Sequence, residues 1–169
     1  MTPDIPRPVL KGKKALVIGV ANDSSIAYGC AKAFRELGAD VAITYLNDKA
    51  KPHVEPLARE LEASLFLPLD VAVPGALERV FEEVAAKWGK LDILVRSIAF
   101  APKEDLQGGL LNCSAEGFAK AMDVSCHSFV RMARLAAPLM KNGGTLFAMS
   151  YYGANKVVPS YNVMGPVKA

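Results

Sequence analysis

Tyr161 and Lys168 stand seven residues apart in the segment SYYGANKVVPSYNVMGPVKA. Seven residues is close to two helical turns, so a helix over 161–168 would put both side chains on one face, with backbones about 10 Å apart. A phenol and an ammonium on one face can share one electrophilic site. The phenol offers a proton or a hydrogen bond to an oxygen that becomes negative. The ammonium binds hydroxyls and lowers the phenol pKa through its charge. Taken singly, the two residues read more readily as helix surface. Their weight comes from a nucleotide-like pattern at the other end of the chain.

That pattern is GVANDSSIAYG, Gly19 to Gly29. Gly19 allows a sharp turn where a side chain would clash. Ser24 or Ser25 can cap the following helix, whose free N–H groups and dipole suit a pyrophosphate. A G-x-G-x-x-G is absent, and a glycine turn with a serine cap explains these residues as well. Leu46 stands where an acid for the ribose is expected, followed by Asn47 and Asp48. Asp48 can equally cap the next helix. No arginine is near for a 2′-phosphate, which favours NADH over NADPH. Asp70 can accept from an adenine amino group while Val71 packs on the ring; a polar strand end is the other reading. Ser97, Ile98 and Ala99 would place backbone along a ribose. Phe100 and Ala101 continue an apolar floor toward substrate, keeping water from a hydride.

The elements that must position these residues follow from apolar runs alternating with helical patterns. Strands are expected at 15–20, 41–45, 64–71, 91–98 and 144–150. Helices are expected at 25–37, ended by Gly38; at 49–62, with Pro52 in its first turn; and at 74–88. A long helix over 114–140, with Ser114 as its cap, and a last one near 161–168 complete the order. Such alternation means an α/β fold: a doubly wound, Rossmann-like parallel sheet in one domain over 1–169, after a loose tail over 1–12. Near-continuous Val, Ile and Leu fits strands buried on both faces. Ligands then bind outside the carboxyl ends of the strands. Pro68 strains the third strand, and Pro166 removes a donor from the last helix and can bend it. Arg96, a charge at a strand end, is expected to face solvent or a phosphate.

Composition narrows the function classes. Net charge is +3 with scattered lysines and no arginine-rich run, which argues against nucleic acid. No stretch of eighteen apolar residues exists to span a membrane, and the start lacks the apolar core of a secretory signal. Cys30, Cys113 and Cys126 are far apart and show no metal-ligand spacing; reduced thiols in a cytoplasmic protein are expected. His53 and His127 have no ligand partner nearby in sequence.

GVANDSSIAYG, TYLND, LDV, SIAFAP, SYYGA and YNVMGPVKA, in this order, resemble the blocks of the NADH-dependent enoyl-acyl carrier protein reductases, a divergent branch of the short-chain dehydrogenase/reductase family. The resemblance runs from about Leu10 to Ala169. The spacing of six residues between Tyr161 and Lys168 separates this branch from ordinary members, which use three and a G-x-x-x-G-x-G turn.

The resemblance implies that Gly19, Ser25 and Ile26 hold the pyrophosphate and nearby ribose, that Leu46 borders the adenosine ribose, and that Asp70 and Val71 bind adenine. It places Ile98 on the nicotinamide half, Ala101 on substrate and Lys168 on the nicotinamide ribose. Tyr161 would face a thioester carbonyl, with Tyr151 as a second active-site tyrosine. Hydride from NADH would add at Cβ of a trans-2-enoyl thioester in fatty-acid biosynthesis, and Tyr161 would meet the enolate oxygen with a proton or a hydrogen bond. A ketoacyl or sugar reductase, or a nucleotide-binding module without turnover, are the competing readings. Homotetramers and substrate carried on acyl carrier protein are inherited expectations. Family members run on for further strands, so the chain is expected to be a fragment or an incomplete record. Its fifth strand and Tyr161 segment would then be poorly covered, and the 169 residues weakly stable and essentially inactive.

Overall fold

The computed structural model describes residues 8–169. Five parallel strands form one sheet: β1 Lys14–Ile18, β2 Asp40–Tyr45, β3 Leu65–Pro68, β4 Ile93–Arg96 and β5 Thr145–Ala148. Their order is β3-β2-β1-β4-β5, so the winding reverses between β1 and β4. The expected doubly wound α/β sheet is therefore the fold. Helices α1 Ile26–Glu36, α2 Lys51–Glu60 and α3 Ala76–Trp88 provide the crossovers of the first half. After β4 come α4 Lys103–Leu106, α5 Ala115–Met122, α6 Ser128–Ala136 and, past β5, α7 Met164–Lys168.

Alternation along the strands feeds two apolar layers. Ala15 and Val17 of β1, Val41 and Ile43 of β2, and Ile93 and Val95 of β4 face α1 and α2. Leu16, Ile18, Ala42 and Leu94 face α3 and α6, against Leu77, Val80, Val84 and Met132. Burying each large aliphatic side chain contributes roughly 1.5–3 kcal/mol. Two-sided burial is the reason these strands read as continuous apolar runs.

The outer strands depart from that expectation. β3 stops at Pro68, four residues into the expected 64–71, and is only half-buried. As an edge strand it tolerates a proline, and Leu69 N–H resumes pairing with the Tyr45 carbonyl at 2.8 Å. β5, the other edge, is mostly exposed.

The rest of the chain differs in three places. The long helix expected over 114–140 is one path with a π turn at Asp123–His127 between α5 and α6 and a 3₁₀ turn at Ala137–Leu139. The Ser114 hydroxyl caps it as expected, accepting from Gly117 N–H at 2.9 Å. The last helix starts at Met164, not Tyr161: Ser160 and Asn162 have positive φ, which breaks the helical path. Pro166 thereby falls in the first turn, where its missing N–H is not needed. The third concerns the tail. Residues 1–7 lie outside the described residues, whereas 8–12 are docked: Leu10 N–H bonds the Leu37 carbonyl at 2.9 Å and its side chain packs on the α1–α2 layer.

Candidate active site

The site is built where the winding reverses. Gly19 follows β1 with φ +100°, and a Cβ there would lie 2.3 Å from the Ser97 carbonyl oxygen and 2.7 Å from Ile98 Cγ2. Only glycine lets the ends of β1 and β4 approach this closely. Gly19 N–H reaches the buried Thr44 hydroxyl at 3.3 Å. Ser25 occupies the N-cap position of α1, yet its hydroxyl donates to the Asn22 carbonyl at 2.6 Å, and that of Ser24 to Asp23 at 3.0 Å. The expected serine cap is thus absent: neither hydroxyl accepts from a first-turn N–H of α1. The first-turn N–H groups of α1 are left without a side-chain cap.

Tyr161 and Lys168 converge in spite of the shorter helix. They line one cavity of about 310 Å³ with Ile26, Ser97, Ile98, Tyr151 and neighbouring loop residues. The two-turn helical face is not what joins them. The turn around Ser160 and Asn162 folds Tyr161 back while α7 carries Lys168. Lys168 Nζ donates to the Met149 carbonyl at 2.9 Å, and Ser150 Oγ donates to the Lys168 carbonyl at 3.0 Å. The Tyr161 ring lies 4.9 Å from the Tyr151 ring, tilted by 58°. Gly153 makes room for it: a Cβ there would meet Tyr161 Cδ1 at 2.6 Å.

The electrostatics separate the two groups. Burial, then the neighbouring Tyr151, raises the Tyr161 phenol above its ordinary value, against the expectation that the Lys168 charge lowers it, and this keeps the phenol protonated and able to donate. Burial, then the charge of Arg96, lowers the Lys168 ammonium. Arg96 itself is 3% exposed, so the expectation that it faces solvent is wrong. The alternation of β4 turns it to the same face of the sheet as buried Leu94.

The remaining expected residues spread along the same strand ends. Leu46 and Asp70 line a second depression of about 380 Å³ with Leu67, Val73 and Arg79. Asp70 Oδ1 already accepts from Ala72 N–H at 2.9 Å. Val71 is buried, and its carbonyl accepts from Arg131 Nη2 at 3.0 Å. Asn47, rather than Asp48, leads into α2, its Oδ1 accepting from Lys49 and Ala50 N–H at 3.1 Å. Ala101 packs on the cluster of Tyr161, Val163 and Val167 and is not among the residues that line the cavity with Lys168. Ser125, in the π turn, was not anticipated. Its hydroxyl accepts from Phe100 N–H at 2.8 Å and donates to the Phe100 carbonyl at 2.9 Å, fixing the loop after β4. Gly153 was visible only as a letter in SYYGA, and nothing in the sequence marked Ser125 within its helical pattern.

A family model described as enoyl-(acyl carrier protein) reductase matches residues 19–169. The chain belongs to this family. An enoyl-[acyl-carrier-protein] reductase [NADH] of Rhizobium meliloti is 45% identical over 161 residues, covering 95% of this chain and 59% of the relative. The Aquifex aeolicus FabI, an enzyme of the same description, is 45% identical and is covered to 60%. The crystal structure of the Anaplasma phagocytophilum reductase in complex with NAD superposes with a TM-score of 0.90 at 46% identity, over 94% of this chain and 61% of that one. FabI from Candidatus Liberibacter asiaticus gives 0.91 at 41% identity, over 95% and 62%. The chain thus spans about 60% of the length of the curated relatives it matches. Among the described residues, no helix is long and apolar enough to cross a membrane.

Proposed function

We propose that this chain carries the dinucleotide and proton-donor site of an NADH-dependent reductase of trans-2-enoyl thioesters, presented on acyl carrier protein in fatty-acid biosynthesis. One observation carries the reading: Tyr151, Tyr161 and Lys168 meet Ile26 and Ile98 in a single cavity at the reversal point of the sheet. The relatives' names and the NAD-bound neighbour support the same reading.

The residues fit a dinucleotide. The uncapped start of α1, an eleven-residue helix, offers N–H groups and a dipole to a pyrophosphate beside Gly19, Ser25 and Ile26. Leu46, Asp70 and Val71 would border the adenosine half, Ile98 the nicotinamide half, and Lys168 the nicotinamide ribose. Arg79 lines the same depression as Leu46, so the choice of NADH over NADPH is supported by the NADH-dependent relatives and the NAD-bound neighbour rather than by a missing arginine. Bound there, the dinucleotide supplies a hydride to substrate Cβ.

The chain's own side chains then manage charge. Tyr161, kept protonated, donates a hydrogen bond or its proton to the thioester oxygen as that oxygen becomes negative. Lys168, held on the Met149 carbonyl, offers its other N–H bonds to hydroxyls. Tyr151 flanks Tyr161, and Ala101 borders the acyl side. Ile26, Ile98 and Met149 limit water at the cavity. A single domain, a homotetramer and a cytoplasmic setting belong to this proposal.

Following NADH absorbance with crotonyl and acetoacetyl thioesters, on the protein as the cell makes it, tests it. Consumption with crotonyl thioester is the expected result. Consumption with acetoacetyl thioester alone would make the protein a ketoacyl reductase, and dinucleotide binding without turnover of either would make it a binding module.

A further inference from the structure

One residue before Ser97, which lines the cavity, stands a second cation that no sequence pattern explains. Arg96 ends β4, and its side chain is 3% exposed. Among the described residues, Nε and Nη2 meet no hydrogen-bond acceptor, and no carboxylate forms an ion pair with the guanidinium. The position is tied to the cavity through one residue. Met149 N–H donates to the Arg96 carbonyl at 3.1 Å, and the Met149 carbonyl accepts from Lys168 Nζ at 2.9 Å. Ser97, the next residue along, lines the cavity itself. The Cys126 side chain of the π turn lies near the guanidinium. A guanidinium does not lose its proton in a protein, so this charge is permanent. In a partly dehydrated wall its field reaches further than it would in water. The lowered Lys168 pKa, to which Arg96 contributes after burial, is in keeping with that reach.

We propose that Arg96 is a positioning residue acting through its charge, one that biases the site toward the reduced dinucleotide, whose ring is neutral, over the oxidised one, whose ring is a cation. The inference rests on the dinucleotide reading above. It does not require Arg96 to touch the ring: a buried, uncompensated cation raises the energy of any further positive charge in the neighbouring cavity. The bias favours release of the oxidised product after each reduction.

The dissociation constants of NADH and NAD, measured for the parent and for Arg96→Met, Arg96→Gln and Arg96→Lys, decide the matter. Met and Gln remove the charge, one apolar and one polar, so that a folding defect in either leaves the other. Lys keeps the charge and changes the shape. The expected result is that the ratio of the NAD to the NADH constant falls on the order of fivefold in Met and Gln and stays near the parent value in Lys. Arg96→Met should also melt no lower than the parent, because an unpaired buried charge has been removed. An unchanged ratio in a folded neutral variant overturns the inference and leaves the dinucleotide site standing. Equal falls in Lys and Met overturn it too, since shape rather than charge would be responsible. A parent protein that binds neither dinucleotide sinks the dinucleotide reading itself, and the bias with it.

Discussion

Val95 and Phe147 are register partners on adjacent strands, yet Val95 is 1% exposed and Phe147 is 44% exposed. The difference of one strand divides the molecule. From β3 to β4 the chain is a series of strand–helix–strand units in which each helix covers the sheet just made. Beyond β4, the residues proposed for chemistry hang on an exposed edge strand, two residues of left-handed backbone and a five-residue helix. The nucleotide half is fixed by its own core. The half that bears Tyr151, Tyr161 and Lys168 rests on a small apolar cluster around Val163 and Val167 and on a few specific contacts: Lys168 to Met149, Ser150 to Lys168, and Tyr161 against Gly153.

The comparison is broken most severely by Leu16→Ala. Leu16 is fully buried at the centre of the α3–α6 layer. Its truncation should cost about 3–4 kcal/mol, and denaturant unfolding measures it. A loss under about 1 kcal/mol would mean that the central sheet is not the stable half. Tyr161→Phe should act the other way round. Stability and NADH binding should stay near the parent, whereas turnover of an enoyl thioester falls roughly 100-fold, about 3 kcal/mol of barrier. An unchanged rate removes Tyr161 from the chemistry.

Ser125→Ala probes the join between the halves. Ser125 is 2% exposed and serves both the N–H and the carbonyl of Phe100. Leaving those groups unpaired should cost about 1–3 kcal/mol, with KM for the thioester rising as the loop after β4 loosens. Melting and steady-state kinetics together distinguish this from a neutral surface serine.

The pH dependence sharpens the same picture. Lys168 carries a lowered pKa, so its ammonium is lost at a lower pH than that of a free lysine. Tyr161 carries a raised pKa and outlasts an ordinary phenol as pH rises. The alkaline fall of kcat/KM should therefore follow Lys168 and begin below the ordinary lysine range. The sign for stability is consistent: a depressed lysine pKa means folding is opposed while Lys168 is charged, and stability gains as pH rises through the folded pKa. An alkaline limb above the ordinary lysine range would contradict both.

What was legible in the sequence follows the same division. The runs at Ala15 and Val41 announced β1 and β2 because two-sided burial demands unbroken apolar residues. Gly19 was readable because its conformation excludes other residues. Past β4 the rules weaken. A 3.6-residue period cannot reveal the π turn that turns Ser125 toward Phe100. Pro166 hinted that a helix over 161–168 was wrong, but its remedy, a helix beginning at Met164, depends on the turns at Ser160 and Asn162. Arg96 was misread because charges at strand ends usually find water, and only tertiary burial prevents it here. Tyr161 and Lys168 still meet, by a route that local periodicity did not describe.

The smallest effect is the most discriminating. Phe147→Ser removes a large aromatic from β5, directly beside buried Val95. In a strand buried on both faces that change would cost several kcal/mol. At 44% exposure on a sheet edge it should shift unfolding by no more than about 1 kcal/mol in these 169 residues. It should also lower self-association, since an exposed apolar edge strand is a template for pairing with another chain. Sedimentation and denaturant unfolding of the pair test both halves of that statement. A loss near that of Leu16→Ala would show β5 to be covered in solution, by another copy or by a rearranged segment of this chain. The candidate site would then owe its geometry to that cover rather than to the contacts around Met149.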